Sequence, residues 1–142
     1  MNQEDKKFIY DFIHKHKIAV LATVDKSNQP EAAVVEFGDT PDLEIIFDTL
    51  AETYRKYNNL QKNQSVALVI GWDDDITVQY EGTAKEIKGQ EKDKYKEIYF
   101  AKNPETRKWD SNPDIRYFLV KPKWVRYSDY GSKPYKVIAL KF

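Results

Sequence analysis

Between Phe47 and Leu60 the chain reads FDTLAETYRKYNNL, which sets Thr49, Thr53, Arg55 and Lys56 within eight positions. An apolar strand ending in a threonine runs directly into a segment with helical spacing. Thr53 stands where an N-cap would be, so Arg55 and Lys56 fall in the first turn. Two cations at the positive end of a helix dipole cost a few tenths of a kcal/mol each unless something negative meets them. Backbone N–H groups, hydroxyls, an arginine fork and a lysine point charge are the parts of a phosphate site. The plainer alternative pairs Arg55 and Lys56 with Glu52 or Asp48, or leaves them solvated.

Other residue types with chemical potential form no constellation. His14 and His16 are two apart on a predicted first helix, so they point to different faces and read as solvated side chains. Asp73, Asp74 and Asp75 lie between two strand-like runs, where Asp favours a turn, and nothing else of a calcium loop accompanies them. There is no cysteine, which removes disulfides, thiolate metal sites and cysteine nucleophiles. Glycine-rich phosphate loops, nucleophile elbows and H-E-x-x-H are absent as well.

The elements that must position these residues follow from periodicity. Phe8, Ile9, Phe12 and Ile13 recur at helical spacing in a segment from Asn2 to about Lys17. KIAVLATV (17–24) and EAAVVEF (31–37) read as strands around a turn; GDTPD is a tight connection to LEIIFDT (43–49), expected to be the hairpin partner of the strand before it. A helix is expected from about Glu52 to Asn63, then SVALVIGW and ITVQYEGTAKEI as strands, with Gly82 marking a bulge. A helix over Gln90–Lys102, a short helical turn in NPETRKWDSNP and two final strands complete the pass, the first of these strands interrupted by Pro122. The chain has 142 residues, enough for one domain spanning 1–142, and its 41% hydrophobic and 14% aromatic content supports a packed core.

Lys plus Arg and Asp plus Glu number 23 each, a formal net charge of +0. That balance disfavours a nucleic-acid partner relying on phosphate neutralisation, including a small barrel stacking bases on its ten tyrosines. No apolar run is long enough to cross a membrane and the N-terminus lacks the apolar segment of a secretion signal, so a cytoplasmic location and no membrane partner are expected.

FDTLAETYRKYNNLQKNQSVALVIGW resembles the pyridoxamine 5′-phosphate oxidase-like family of FMN-binding split barrels. Its carrying residues are Thr49, Arg55, Lys56, Leu60, Asn63 and Val66 to Leu68, and the flanking strand order agrees over nearly the whole chain. The resemblance implies a mainly β (α+β) fold: a six- to seven-stranded antiparallel Greek-key split β-barrel with flanking helices. It further implies a homodimer with FMN in grooves between the subunits. By position, Arg55 and Lys56 would clasp the FMN phosphate with Thr49 and Tyr54 beside them. Ala33, Val34, Val35 and Glu36 would lie along the isoalloxazine ring, Thr77 and Gln79 would approach it from the side, and Ser128 and Tyr130 would come from the other subunit. Trp109 would cover the mouth. The Arg–Leu–His–Asp–Arg ending of the vitamin B6 oxidases is missing, and Ala32 and Ala33 stand near the position of a basic residue at the flavin. The implied function is therefore an FMN-dependent oxidoreductase of the oxidase-related type, acting on a small-molecule substrate or reductant, without vitamin B6 oxidase activity. The alternative is a non-catalytic flavin, haem or deazaflavin binding or storage module.

Overall fold

A computed structural model describes residues 1–142. Helix α1 (Gln3–His14) is capped by Asn2, whose side-chain oxygen accepts from the Glu4 and Asp5 amides at 2.9 and 3.2 Å. Eight strands follow: β1 (Ile18–Val24), β2 (Pro30–Glu36), the two-residue β3 (Gly38–Asp39), β4 (Ile45–Leu50), β5 (Ser65–Ile70), β6 (Ile76–Glu86), β7 (Ile115–Asp129) and β8 (Lys136–Lys141). Helix α2 (Arg55–Lys62) joins β4 to β5, and helix α3 (Gly89–Lys102) with a 3-10 turn over Pro104–Trp109 joins β6 to β7.

The strands form one antiparallel sheet in the order β2-β1-β5-β6-β7-β4-β3, with β8 added to β7. Strands β5, β6 and β7 are consecutive neighbours, and β4 returns to lie beside β7, a Greek-key arrangement. The count exceeds six or seven because β3 is a short extra strand. Curling of the sheet is helped at Gly82. The β6–β7 register shifts between Glu81 and Gly82, and a Cβ on Gly82 would sit 2.5 Å from the Lys121 carbonyl oxygen. Pro122 stands opposite that bulge within a β7 that continues on both sides of it.

Two expected pairings are corrected. LEIIFDT is not the hairpin partner of EAAVVEF: β2 pairs only with β1, while β4 pairs with β3 and β7. The reason lies at Gly38, where a Cβ would come within 2.9 Å of the Tyr99 backbone. Helix α3 packs so closely there that the chain turns away from β2 before β4 begins, leaving β2 and β4 as facing, unpaired walls. His14 is also not simply solvated. Its Nδ1 lies 2.8 Å from Asp39 Oδ2, and Lys102 forms an ion pair with Asp39 at 2.9 Å, tying α1, β3 and α3 together.

Strand alternation places Leu21, Val35, Phe47, Leu68, Val78, Tyr80 and Val120 in one core, which Ile9 and Ile13 of α1 join. The opposite side of β4 is covered too: Ile46 packs with Tyr95, Tyr99 and Phe100 of α3 and with Tyr117 and Leu119 of β7. The buried Tyr80 hydroxyl donates to the Leu43 carbonyl at 2.7 Å, so its polar end is satisfied. The acidic triplet forms the β5–β6 hairpin turn, with Asp74 and Asp75 both at φ 60°.

Candidate functional site

The gap between β2 and β4 is the candidate site. It holds a cavity of about 480 Å³ whose walls come from β2, the end of β4, the entry to α2 and the 3-10 turn. Ala33, Val34, Val35 and Glu36 form one side. Thr49, Tyr54 and Lys56 form the other, and Trp109 stands half-exposed at the edge. Eight sequence-selected residues are thus gathered around one space.

The entry to α2 differs from expectation in a way that sharpens the site. The helix begins at Arg55, not near Glu52, and its N-cap is Tyr54, whose side chain makes no capping hydrogen bond. Thr53 is not the cap: its amide bonds to Leu50 in a turn that precedes the helix. The first amides of α2 have no intrahelical acceptor and no side chain replaces one. No acidic residue stands in this turn to offset its dipole.

Lys56 is only 6% exposed, and no carboxylate lies within ion-pair distance of it. Its ammonium sits 4.3 Å from the centroid of the Tyr54 ring. Burial pushes its pKa down, against the opposing pull of Glu31 and Asp48. Thr49 is buried, and its hydroxyl has no hydrogen-bond partner. A buried cation and an unpaired buried hydroxyl at an uncapped helix start fit an anionic group, and the apolar β2 wall fits a flat ring. Arg55 does not line the cavity. Its side chain is 82% exposed and pairs with Glu31 of β2 at 3.4 Å, not with Glu52 or Asp48.

Thr77, Gln79, Ser128 and Tyr130 lie elsewhere. Thr77 stands opposite Ser128 and Gln79 opposite Arg126 in the β6–β7 pairing, on the outward face of the sheet. Arg126 donates to the Gln79 side-chain oxygen. The Thr77 hydroxyl and Arg126 Nε are buried without partners. Tyr130 is half-exposed, edge-on to Tyr135 at 5.1 Å. The same face runs on through Val20, Ala22, Ala67 and Val69 to Val34, which is 63% exposed.

Three polar cavity residues escaped the sequence reading, Asp48, Tyr99 and Thr106, besides the apolar Ile18, Leu50 and Ile115. Asp48 is the one acid in the apolar strand IIFDTL, a legible signal beyond its role as an ion-pair candidate. Burial raises its carboxyl pKa, with a Tyr99 hydrogen bond and Lys56 pulling the other way and Glu36 adding to the rise. Tyr99 and Thr106 arrive from α3 and the 3-10 turn, and both are buried. Burial and the neighbouring Asp48 push the Tyr99 phenol far above its ordinary range, so it remains a donor.

Comparison with known proteins agrees with this geometry. The family model described as pyridoxamine 5′-phosphate oxidase matches residues 6–129. General stress protein 26 of Bacillus subtilis (strain 168) is 30% identical over 139 residues, covering 94% of this chain and 95% of that protein. A Clostridium acetobutylicum protein related to general stress protein 26, of the pyridoxinephosphate oxidase family, superposes with a TM-score of 0.75 at 16% identity. The match covers 100% of this chain and 97% of that one. A heme binding protein from Mycobacterium smegmatis superposes with a TM-score of 0.79 at 15% identity; the match covers 98% of this chain and 57% of that one, so the chain spans little more than half its length. At such identities the two superpositions speak for the fold, a split barrel.

Proposed function

The chain belongs to the pyridoxamine 5′-phosphate oxidase family, and on that premise we propose that it binds FMN in the β2–β4 cleft as a flavin-dependent oxidoreductase acting on a small molecule. The observation that carries this reading is the pairing of a buried Lys56 without an ion-pair partner with the unpartnered hydroxyl of Thr49 at the uncapped start of α2. Lys56, the Thr49 hydroxyl and the first α2 amides would hold the phosphate, with Arg55 swinging from Glu31 to close over it. Ala33 to Glu36 would support the ring, and Trp109 would shield its open edge. Bound FMN would supply the hydride or electron transfer, while the protein positions the ring and excludes water.

The remaining selected residues enter this reading through a second copy of the chain. Because Thr77 and Ser128 face each other across β6–β7, they serve the same groove together. An outward face that exposes Val34 and Val69 is suited to a homodimer interface. Thr77, Gln79, Ser128 and Tyr130 would then reach the flavin of the partner. Vitamin B6 oxidase activity is not part of the proposal, since the Arg–Leu–His–Asp–Arg ending is absent.

The Mycobacterium smegmatis neighbour binds heme, and the same cleft is open to that alternative. Haem iron takes a His, Cys, Met or Tyr ligand. No histidine, cysteine or methionine lines this cleft and His14 is engaged by Asp39; of its two tyrosines, Tyr99 is held protonated by burial and Tyr54 lies against the Lys56 ammonium. FMN titrated into the purified protein, followed by flavin fluorescence, tests the proposal. Quenching at micromolar flavin is expected, with Arg55→Ala and Lys56→Ala each weakening binding by about 1.5–3 kcal/mol, the worth of a charge-assisted hydrogen bond. No binding at micromolar FMN overturns it.

A further inference from the structure

A second cavity, of about 500 Å³, lies where the first half of α3 overhangs the end of β6 and the loop before β7. Only Ile115 is shared with the β2–β4 cleft. Four cations line it, Lys88, Lys92, Lys96 and Arg116, against two carboxylates, Glu86 and Asp110. Both carboxylates are already engaged. Asp110 binds Lys96 Nζ at 3.0 Å and accepts from the Tyr117 hydroxyl at 2.8 Å. Glu86 accepts from the Tyr57 hydroxyl at 3.0 Å and lies 3.9 Å from Arg116 Nε. Four cations less two carboxylates leave an excess charge of +2, carried by Lys88 and Lys92, neither of which has an ion-pair partner. Lys92 is moreover half-buried at the cavity wall. This excess is local, because the chain as a whole carries +0.

We propose that this cavity is a separate binding site for a small organic phosphate monoester. A phosphate monoester carries about −1.5 to −2 charges at neutral pH, matching the excess, whereas a single carboxylate would leave half of it unanswered. The volume falls within the range of small-molecule pockets and exceeds what a bare phosphate fills. Ile115, half-buried, offers apolar surface to an organic body, with Ile87 and Tyr117 buried behind it. The site uses neither Thr49 nor Lys56 and stands whether or not flavin occupies the cleft.

The test is a titration of the ¹⁵N-labelled full chain with phenyl phosphate, carried in an Arg55→Gln/Lys56→Gln background so that the cleft contributes no phosphate clasp. Amide shifts should cluster at Lys88–Lys96 and Asp110–Tyr117. Lys92→Gln and Lys88→Gln should each weaken binding about tenfold, the loss of roughly one charge-assisted contact, while Lys92→Arg retains it. Affinity should fall as the pH drops through the second phosphate ionisation near about 6. Absent shifts at millimolar ligand, shifts elsewhere, or indifference to the lysine substitutions overturn the site. Equal binding of phenol, of inorganic phosphate or of benzoate overturns the ligand class.

Discussion

Arg55 Nε lies 3.4 Å from Glu31 Oε2, which ties the start of α2 to β2 across the mouth of the cleft. Because the arginine is 82% exposed, the pair contributes little to stability, and it competes directly with any anion brought to the α2 terminus. Glu31 also accepts from Asn59 at 3.2 Å, a contact that a glutamine oxygen can keep. Glu31→Gln should therefore leave the melting temperature nearly unchanged and tighten FMN binding. Fluorescence titration beside a thermal melt checks both; weaker binding would mean that Glu31 positions Arg55 instead of occupying it.

Lys56 should be the most ligand-dependent residue of the site. Its pKa is lowered from 10.5 by burial, so the charged side chain opposes folding at neutral pH. That penalty is present in full below the folded pKa and is relieved as pH rises through it toward 10.5. Lys56→Met should raise the melting temperature of the flavin-free protein while cutting the rise produced by FMN to about half or less. In the parent, flavin at a hundred times its Kd stabilises by about 2.7 kcal/mol, roughly 5–10 °C for a domain of this size. Differential scanning calorimetry with and without FMN resolves the two effects.

Asp48 carries the opposite pH signature. Its folded pKa is raised above 3.8, mainly by burial, so the protonated form is the one the fold prefers. Its contribution is fully present below 3.8 and is lost as pH rises through the folded value. Asp48→Asn should match the parent in acid and become progressively more stable than it toward neutrality. Urea melts across that range measure the divergence, and curves that stay parallel would remove burial as the dominant influence.

The strands and the chemistry were unequally legible. β1, β2 and β5 follow from short apolar runs between turn signals and β6 from alternation, and Thr49, Lys56 and Ala33–Glu36 line one cavity as the family resemblance implies. The partner of β4 was not legible. It depends on α3, some fifty residues later, pressing its backbone against Gly38, a contact with no local signature. Tyr99 and Thr106 were missed for the same reason. In sequence they read as a helix stripe and a turn, and it is the packing of α3 on β4 and β7, with its close approach at Gly38, that brings them to the cleft. Thr77 and Ser128, expected beside the flavin, stand opposite each other in the β6–β7 pairing and apart from the cleft.

Gly38→Ala should open the β2–β4 gap. Its Cβ would meet backbone atoms of Tyr99 at 2.9 Å, which no side-chain rotation relieves, so α3 must shift. Overpacking of this kind costs about 1–3 kcal/mol. Because Tyr99 lines the cleft, flavin affinity should fall along with stability. A variant with parental stability and affinity would show that α3 does not set the width of the gap.

The outward face provides the last test, because it separates the flavin cleft of one chain from a groove built by two. Val69 is 37% exposed, pairs with Val20 and Gln79, and lies two strands away from the β2 wall of the cavity without lining it. A glutamate there would remain solvated in a monomer and be buried without a partner in a dimer, at a cost of several kcal/mol. Val69→Glu should therefore sediment as a monomer at micromolar concentration with an intact fold by circular dichroism. If Thr77, Gln79 and Ser128 reach the flavin from a second copy, FMN affinity should drop with the loss of the dimer even though every cleft residue is untouched. Retained affinity in the monomer would assign the whole flavin site to one chain.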